Sequence, residues 1–297
     1  MLISKLGEFG LIKRFQRLIK TDASVVKGSG DDCAVLKYDR KFFQLFTCDM
    51  LVEGVDFSHK ENPCLIGRKS IAVSISDIAA CGGTPRHCVI SVGIPGETSV
   101  EFTDKLFKGM LDLAGIYKIN LVGGDLSSAK NLVIDVSMLG IVEKKNLVLR
   151  SGAKAGDIIF VSGSLGGSIK GKHLKFTPRL KESAALVKNF KVNAMIDISD
   201  GLSQDLGHIL NASNVGALIY EDLIPLAKPA RNLDDALFMG EDFELLFTLS
   251  LKQAQKLLKQ KLKFMPIGKI MDKKYGLRLM DKGGRVKALE PKGYRHF

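Results

Sequence analysis

Apolar residues recur at helical spacing in several segments of the chain. The pattern predicts helices over 9–19, 67–81, 99–115 and 251–261, and a further helix directly after Gly201. Within the second of these helices, Ile71, Ile75 and Ile78 form one stripe, and Asp77 lies on another stripe together with small serines. The sequence therefore predicts that the Asp77 carboxylate faces away from the apolar side of its helix.

Short apolar runs between turn residues predict strands that alternate with these helices. The runs cover 33–38, 42–49, 88–94, 120–122, 132–142, 158–162, 194–198 and the end of 238–248. Because strands and helices alternate in both halves of the chain, we expect an α/β or α+β fold. A turn-rich stretch around Arg150 separates the halves, and we predict domains at 1–145 and 146–297.

Composition and charge narrow the class of protein. The chain has 297 residues, of which 45% are hydrophobic and 26% charged, which is typical of a globular protein. Its formal net charge of +12 favours anionic partners such as nucleic acid, an anionic membrane or phosphorylated small molecules. No signal peptide and no membrane-spanning run is predicted. Five cysteines without a CxxC pair favour reduced thiols and a cytoplasmic location.

Acidic residues stand beside glycines or in apolar strand runs at many points of this basic chain. Any one of them is most simply a turn residue or a helix cap. Together they predict a metal site, because converging carboxylates repel one another and a divalent cation removes that penalty. We therefore expect an acidic site that holds Mg²⁺ and a nucleotide polyphosphate. The acids are Asp31, Asp32, Asp49, Asp77, Asp125, Asp197, Asp200, Glu241 and Asp242.

One glycine-rich segment imitates a phosphate-binding loop. Residues 166–173 nearly match the P-loop pattern, but His173 stands where a Ser or Thr hydroxyl is needed, and Pro178 interrupts any following helix. A glycine-rich connection with surface lysines is the preferred interpretation. The scattered histidines form no zinc-hydrolase motif, and the chain has no GxSxG nucleophile elbow.

The ordered series of motifs resembles the thiamine-monophosphate kinase family over nearly the whole chain. These motifs are GDDCAVL at 30–36, TCDMLVEGVDF at 47–57, SISDIAACGGTP at 74–85, GGD at 123–125, RSGAKAGD at 150–157, IDISDGLSQDLGHI at 196–209, GEDFELLFT at 240–248 and KGYRHF at 292–297. That family belongs to a superfamily with aminoimidazole ribonucleotide synthetase, selenophosphate synthetase and a hydrogenase-maturation protein.

The resemblance implies an activity and a fold. ATP would phosphorylate thiamine phosphate to thiamine diphosphate with several Mg²⁺ ions. Because the nucleophile is a phosphate oxygen that is already ionised, we predict direct transfer without a phosphoenzyme. The fold would be the two-domain aminoimidazole ribonucleotide synthetase-like fold. Its N-terminal domain would form a homodimer through the β-sheet, and the active site would lie where the two domains meet.

The resemblance also assigns roles to individual residues. The catalytic set would be Asp49, Asp77, Asp125 and Asp197. Metal ligands would be Asp32, Thr47, Cys48, Asp49, Asp77, Asp125, Asp197 and Asp200. The nucleotide would contact Gly124, Asp125, Arg150 and Ser199, and thiamine phosphate would contact Asp56, Glu241 and Tyr294.

Four departures from the family pattern bear on these roles. Cys48 replaces a usual threonine, so only a backbone oxygen could serve as a ligand there. Leu126 replaces a common Thr or Ser, and Met239 replaces the first glycine of GGED. The segment 166–178 is much shorter than in the family, which would alter the cover over the nucleotide.

Three other functions compete with this one. A selenophosphate synthetase-like or aminoimidazole ribonucleotide synthetase-like enzyme would use the same ATP and Mg²⁺ site. A nucleic-acid-binding protein would explain the positive charge, but the lysines are spread over many segments, as on a solvated surface. A catalytically inactive homologue would keep the fold without turnover. We expect neither nucleic acid nor membrane as a partner.

Overall fold

Two separate β-sheets organise the chain. The computed structural model describes residues 2–260 and 262–297, and within those ranges it contains thirteen strands and eight α-helices. Strands up to Glu143 form a six-stranded sheet, and strands from Ile158 onward form a seven-stranded sheet. The predicted domain division at residues 145 and 146, which falls between these strands, stays a prediction.

The first sheet has the strand order β1-β2-β3-β6-β4-β5. Its central pair, β3 and β6, is antiparallel along all eleven residues of each strand, and only β4 and β5 run parallel. The strands are β1 (Val25–Lys27), β2 (Ala34–Lys37), β3 (Phe42–Val52), β4 (Thr84–Ile94), β5 (Asn120–Ser128) and β6 (Val133–Glu143).

The second sheet has the strand order β13-β12-β9-β11-β7-β10-β8. Its central strands are apolar on both sides, because Ile159 faces one core and Phe160 faces another. The strands are β7 (Ile158–Val161), β8 (Val192–Asp197), β9 (Gly216–Tyr220), β10 (Leu245–Leu249), β11 (Met265–Met271), β12 (Leu277–Met280) and β13 (Val286–Ala288).

The helices cover one side of the first sheet and both sides of the second. They are α1 (Ile3–Leu6), α2 (Glu8–Gln16), α3 (Pro63–Ala80), α4 (Val100–Tyr117), α5 (Leu180–Asn189), α6 (Leu202–Ser213), α7 (Leu233–Phe238) and α8 (Leu251–Leu258). Within the described ranges, no helix combines the length and apolar character that crossing a bilayer requires. The predicted helix at 251–261 ends at Leu258, and its last predicted residue lies outside the described residues.

Helix α3 is the most deeply buried helix that bears on the site. Asn62 caps its first turn by accepting from the Cys64 amide, and Pro63 occupies the first helical position. The serine side of α3 is buried as fully as the isoleucine side, since Ser70, Ser74 and Ser76 are almost inaccessible. The predicted second, polar stripe therefore faces the rest of the protein.

Helices α3 and α4 approach each other at two glycines. A Cβ atom on Gly67 would lie 1.9 Å from the carbonyl oxygen of Leu106, and one on Gly109 would lie 1.9 Å from that of Cys64. Only glycine permits this backbone-to-backbone contact. The two helices are therefore held at a fixed separation under the first sheet.

The other side of the first sheet is open. It exposes Phe46, Met50, Val89 and Val122, each with at least 40% of its surface accessible. Strand β5 is longer than predicted, because it continues through Gly123-Gly124-Asp125 to Ser128. Asp125 consequently lies within a strand on this open face and not at a strand end.

Candidate active site

Carboxylates from both halves of the chain meet beside α3. Asp32 precedes β2, Asp77 lies on the last turns of α3, and Asp197 ends β8. Carboxylate oxygens of these three residues lie within 4.8 Å of one another. Asp49 on β3 faces the same interior and adds to the negative charge around Asp77. We call Asp32, Asp49, Asp77 and Asp197 the acid cluster.

Hydroxyl groups fix three carboxylates of this acid cluster. Ser74 Oγ donates to Asp49 Oδ2 at 2.7 Å, and Ser76 Oγ donates to Asp197 Oδ2 at 2.6 Å. The Thr47 hydroxyl donates to the Asp77 carboxylate. Because Ser76 and Asp197 belong to different halves of the chain, the 2.6 Å bond also joins the first sheet's helix to the second sheet.

Burial and mutual repulsion make the acid cluster hard to ionise. Burial raises the pKa of Asp197 to about 7 and that of Asp49 to about 6, with neighbouring carboxylates adding to each effect. Burial and the charges of Asp49 and Asp197 raise the pKa of Asp77 well above its ordinary value. The cluster therefore favours any positive charge that can enter it.

One guanidinium partly offsets this negative charge. Arg150 directs Nε and Nη2 to Asp32 Oδ1 at 3.0 and 2.5 Å, and its backbone N–H donates to Asp31 Oδ1 at 3.1 Å. The second oxygen of Asp32, Oδ2, is buried without a hydrogen-bond partner among the described residues. One buried, unpartnered carboxylate oxygen in a group of four acids fits a hard divalent cation such as Mg²⁺.

Asp200 belongs to a second acidic group at the start of α6. Ligand atoms of Asp200, Asp205 and His208 lie within 4.8 Å of one another. Asp205 Oδ2 accepts hydrogen bonds from the backbone N–H groups of Asp200 and Gly201. The carboxylate that binds the backbone before the first turn of α6 is therefore that of Asp205 and not that of Asp200. The Asp200 side chain remains available to the neighbouring cleft, as a metal contact requires.

A cleft of about 790 Å³ opens beside the acid cluster. Its lining comes from the β3–α3 connection, the turn before α6, the turn before β10 and the C-terminal tail. Asp49 joins the cleft to the acid cluster. The predicted substrate and nucleotide contacts Asp56, Ser199, Glu241 and Tyr294 all line it, as do Asp200 and His296.

The turn before β10 holds Glu241 in an uncommon backbone conformation. Glu241 and Phe243 have φ angles of +67° and +49°. Their backbone N–H groups donate to the carbonyl oxygens of Ser199 and Ile198 at 2.7 and 2.8 Å. Non-glycine residues with positive φ are costly and concentrate at functional sites, which agrees with the position of Glu241 in the cleft.

Met239, the departure from GGED, has an ordinary φ of −84°, so a glycine is not needed there.

The C-terminal tail reaches back to the cleft. The Tyr294 N–H donates to the carbonyl oxygen of Asp200 at 2.9 Å, and the Tyr294 ring lies 5.1 Å from that of His296. A Cβ atom on Gly293 would lie 2.3 Å from the Asp200 carbonyl oxygen, so this residue must be small for the tail to come so close. The tail thus places an aromatic ring beside the predicted metal and substrate contacts.

The comparisons with known proteins agree with this geometry. Models of the AIR synthase related protein match over residues 30–142 for the N-terminal domain and 140–279 for the C-terminal domain. The thiamine-monophosphate kinase of Buchnera aphidicola subsp. Schizaphis graminum is 37% identical over 327 residues, covering 98% of this chain and 99% of that protein. The Bacillus subtilis thiamine-monophosphate kinase is 34% identical over 326 residues, covering 98% and 100%. The chain belongs to the thiamine-monophosphate kinase family.

Solved structures support the fold of this family. AaThiL complexed with AMPPCP and TMP has a TM-score of 0.88 and 31% identity, and covers 100% of this chain and 99% of that chain. Escherichia coli HypE, a hydrogenase maturation protein, has a TM-score of 0.73 at 21% identity, with coverage of 95% and 96%, and shares the fold alone. The predicted two-domain aminoimidazole ribonucleotide synthetase-like fold is confirmed.

Two residues of the family pattern lie apart from the acid cluster. Cys48 points to the open face of the first sheet, where its Sγ donates to Asp135 Oδ2 at 3.1 Å. Asp125 lies on the same face, three strands away from β3 in the order β3-β6-β4-β5. At about 4.8 Å between strands, this separation is roughly 14 Å. Within one chain, Gly124 and Asp125 do not join the acids that face α3.

The glycine-rich segment that nearly matches a P-loop contacts a separate pair of acids, Asp242 and Glu244. It forms 3-10 turns at Ser168–Lys170 and Lys172–Leu174. Lys172 Nζ lies 3.1 Å from Glu244 Oε1, and Arg179 donates to both oxygens of that carboxylate at 2.6 Å. Asp242 accepts from the Gly166 N–H and the Ser168 hydroxyl. We call Asp242 and Glu244 the paired acids, because their carboxylates accept hydrogen bonds from nearby cations and other donors.

Sequence reasoning missed Lys69. Its side chain is fully buried on α3, and its ammonium donates to the Asp56 carbonyl oxygen at 2.7 Å and to the Glu241 carboxylate. In the sequence, Lys69 lies on the side of the helix opposite the isoleucine stripe, where a lysine is usually a surface residue. Only the three-dimensional contact between α3 and the turn before β10 reveals its partners.

Proposed function

We propose that this chain is a thiamine-monophosphate kinase that transfers the γ-phosphoryl group of ATP to thiamine phosphate, giving thiamine diphosphate and ADP. The observation that carries the proposal is the acid cluster beside an interdomain cleft, in a chain that matches this family along its length. AaThiL, with a TM-score of 0.88 to this chain, is complexed with AMPPCP, an ATP analogue, and TMP. The same pair of ligands suits a cleft with acids on one wall and Arg150 nearby.

The residues present fit Mg²⁺. Asp32, Asp49, Asp77 and Asp197 would hold the ions, with Thr47 and Asp200 as further contacts. When bound, Mg²⁺ would neutralise the charge of the phosphates and hold them in line for transfer. The thiol of Cys48 points away from these carboxylates, so only its backbone oxygen could take part.

The chain's own groups would bind and orient the two anionic substrates. Arg150 and Ser199 would contact the nucleotide, while Asp56, Glu241 and Tyr294 would surround thiamine phosphate. The attacking group is a phosphate oxygen that is already ionised near neutral pH. Transfer therefore requires positioning and charge stabilisation without a strong general base. We therefore expect direct transfer from ATP without a phosphoenzyme.

An assay of purified protein tests the reaction. We expect thiamine diphosphate to form from thiamine phosphate and ATP when Mg²⁺ is present, and formation to stop when the cation is chelated. Selenide and formylglycinamidine ribonucleotide are the matched alternative acceptors, and neither should be consumed. Turnover of one of these in place of thiamine phosphate would assign the chain one of the other superfamily activities.

The cytoplasmic location stays a prediction from the sequence.

We also propose that the chain forms a homodimer through the open face of the first sheet. An exposed apolar patch on a sheet face is typical of an interaction surface. Asp125 lies on that face, Gly124 precedes it in β5, and both residues lie away from the acid cluster of their own chain. In a twofold dimer each copy could supply these two residues to the site of the other copy.

Mixing two inactive variants tests the shared site. Asp77→Asn and Asp125→Asn each remove one acid. If Asp125 acts across the interface, a mixed dimer keeps one intact site, and an equal mixture should recover about a quarter of wild-type activity. If the mixture stays inactive although mixed dimers form, Asp125 does not act from the other copy.

A second experiment tests the dimer interface itself. Met50→Glu should shift the protein from dimer toward monomer, as measured by light scattering, and the equally exposed Leu258→Glu serves as its control.

A further inference from the structure

Lys69 combines complete burial with contacts to two proposed substrate residues. None of its side chain is accessible, although it carries a charge on a long, flexible stem. A buried ammonium is costly unless an opposite charge and hydrogen-bond acceptors surround it. Here the acceptors are the Asp56 carbonyl oxygen, at 2.7 Å, and the Glu241 carboxylate.

These two contacts connect different parts of the cleft. Lys69 and Asp56 belong to the half of the chain that forms the first sheet, and Glu241 belongs to the other half. The Asp56 side chain is used locally, because its Oδ2 accepts from the Val52 N–H at 2.7 Å. Lys69 therefore fixes the position of the Asp56 backbone, and it brings the turn of Asp56 and the turn of Glu241 together.

The Glu241 carboxylate needs such a partner to be oriented. Its backbone is fixed by the hydrogen bond to Ser199, but a glutamate side chain still has three rotatable torsions. Lys69 binds Oε1, and 24% of the Glu241 side chain remains accessible at the cleft. The other carboxylate oxygen is left to accept hydrogen bonds from a ligand.

We infer that Lys69 is a positioning residue that orients Glu241 and the Asp56 turn toward thiamine phosphate and so sets the affinity for this substrate. The inference rests on the proposed function. Thiamine phosphate carries a cationic thiazolium ring and an aminopyrimidine donor, and both suit a fixed carboxylate. Lys69 itself does not line the cleft, so it acts through Glu241 and the Asp56 turn.

The main test compares Lys69→Met with Arg68→Met in steady-state kinetics. Arg68 is the adjacent residue on α3, and its only hydrogen bond among the described residues is a 3.4 Å contact to the Leu174 carbonyl oxygen. We expect Lys69→Met to raise the KM for thiamine phosphate about tenfold or more, as loss of an orienting partner does. The KM for ATP and kcat should stay within about twofold of wild type. Arg68→Met should leave all three unchanged.

A double variant separates positioning from general structural support. If Lys69 acts through Glu241, Glu241→Gln and Lys69→Met together should raise this KM little more than the larger single effect. Multiplied effects, or equal changes in both KM values, would show a structural role and overturn the inference. Lys69→Gln keeps a donor for the Asp56 carbonyl oxygen and replaces the methionine variant if that one does not fold.

The outcomes for the proposed function and for Lys69 differ. If wild-type protein neither binds nor phosphorylates thiamine phosphate, the proposed function fails, and the role of Lys69 fails with it. If wild type is active and the folded Lys69 variants keep its KM for thiamine phosphate, only the inference about Lys69 fails.

Discussion

Two of the buried acid groups described above, the paired acids and the acid cluster, differ in what surrounds them. The paired acids, Asp242 and Glu244, contact Arg179 and Lys172 and accept from Gly166 and Ser168. The acid cluster has four carboxylates and one guanidinium, that of Arg150, and leaves Asp32 Oδ2 without a partner in the described part of the chain. The first group is neutralised by the protein itself.

This difference separates the carboxylates that the protein itself neutralises from the carboxylates that we propose as ligands of a cation. Each group includes one acid from a short motif of similar appearance, Asp32 in GDD and Asp242 in GED, and these two residues are almost completely buried. A carboxylate that is already paired contributes to stability as it stands. A group of carboxylates with excess negative charge is destabilising until a cation enters, which is why we assign the metal site to the acid cluster.

Removing one acid from the acid cluster should have the largest effect on activity. We expect Asp77→Asn to lower kcat by about 100-fold or more, since even partners of metal ligands typically contribute 10- to 100-fold. The same change should raise the melting temperature of the metal-free protein, because it removes buried repulsion. A metal-free Asp77→Asn protein that is less stable than wild type would show that Asp77 is a structural acid like Glu244.

Stability of the metal-free protein should depend on pH through the acid cluster. Folding raises the pKa of Asp49 to about 6 and that of Asp197 to about 7, from an ordinary value of 3.8. Their protonated forms therefore favour the folded state, and this stabilisation is complete below about pH 4 and lost as the pH rises to about 7. Mg²⁺ favours the ionised forms, so its stabilisation should grow over the same range.

Thermal unfolding with and without Mg²⁺ at pH 5, 6, 7 and 8 measures this effect. At a concentration 100 times its dissociation constant, the ion should add about 2.7 kcal/mol to the free energy of unfolding. The Asp77→Asn variant is the control, because it should lose most of the Mg²⁺ response. A response that is equal at pH 5 and pH 8 would contradict the assignment of the acid cluster as the metal site.

Removing a paired acid should lower the stability of the protein, whereas Asp77→Asn should raise the stability of the metal-free protein. Glu244→Gln leaves Arg179 with only its 3.3 Å contact to the Glu182 carboxylate. We expect the free energy of unfolding to fall by about 2 kcal/mol, the typical contribution of a hydrogen bond to a charged group. Both cations are about 30% exposed, so water limits the loss. Chemical denaturation measures it, and the Mg²⁺ response should be unchanged. A lost Mg²⁺ response would mean that the two acid groups act together.

The sequence predicted the acids better than it predicted their partners. Asp49, Asp77 and Asp197 were identifiable because a carboxylate in an apolar run has no local reason to be there. Asp32 and Arg150 were each recognisable from a motif, but their pairing was not, since 118 positions separate them. Lys69 was missed for the same reason, because its partner Glu241 is 172 positions away.

The strand that contains Asp125 shows a different limit. Gly123-Gly124 is typical of a strand end, and the strand was predicted to stop there. In the structure the two glycines allow β5 to continue close to β4, and a Cβ atom on Gly124 would lie 1.9 Å from the Ile90 carbonyl oxygen. The glycines are thus required by sheet packing, a tertiary condition that the local pattern does not contain.

The glycine contacts between α3 and α4 have a consequence for how substrate preference can change. Helix α3 carries the hydroxyls of Ser74 and Ser76, the Asp77 carboxylate and the Lys69 ammonium, and Gly67 and Gly109 fix its distance from α4. A shift of this helix would displace every one of these groups at once. A change of acceptor substrate is therefore easier through the turns of the C-terminal half, which can vary one at a time while α3 keeps its position.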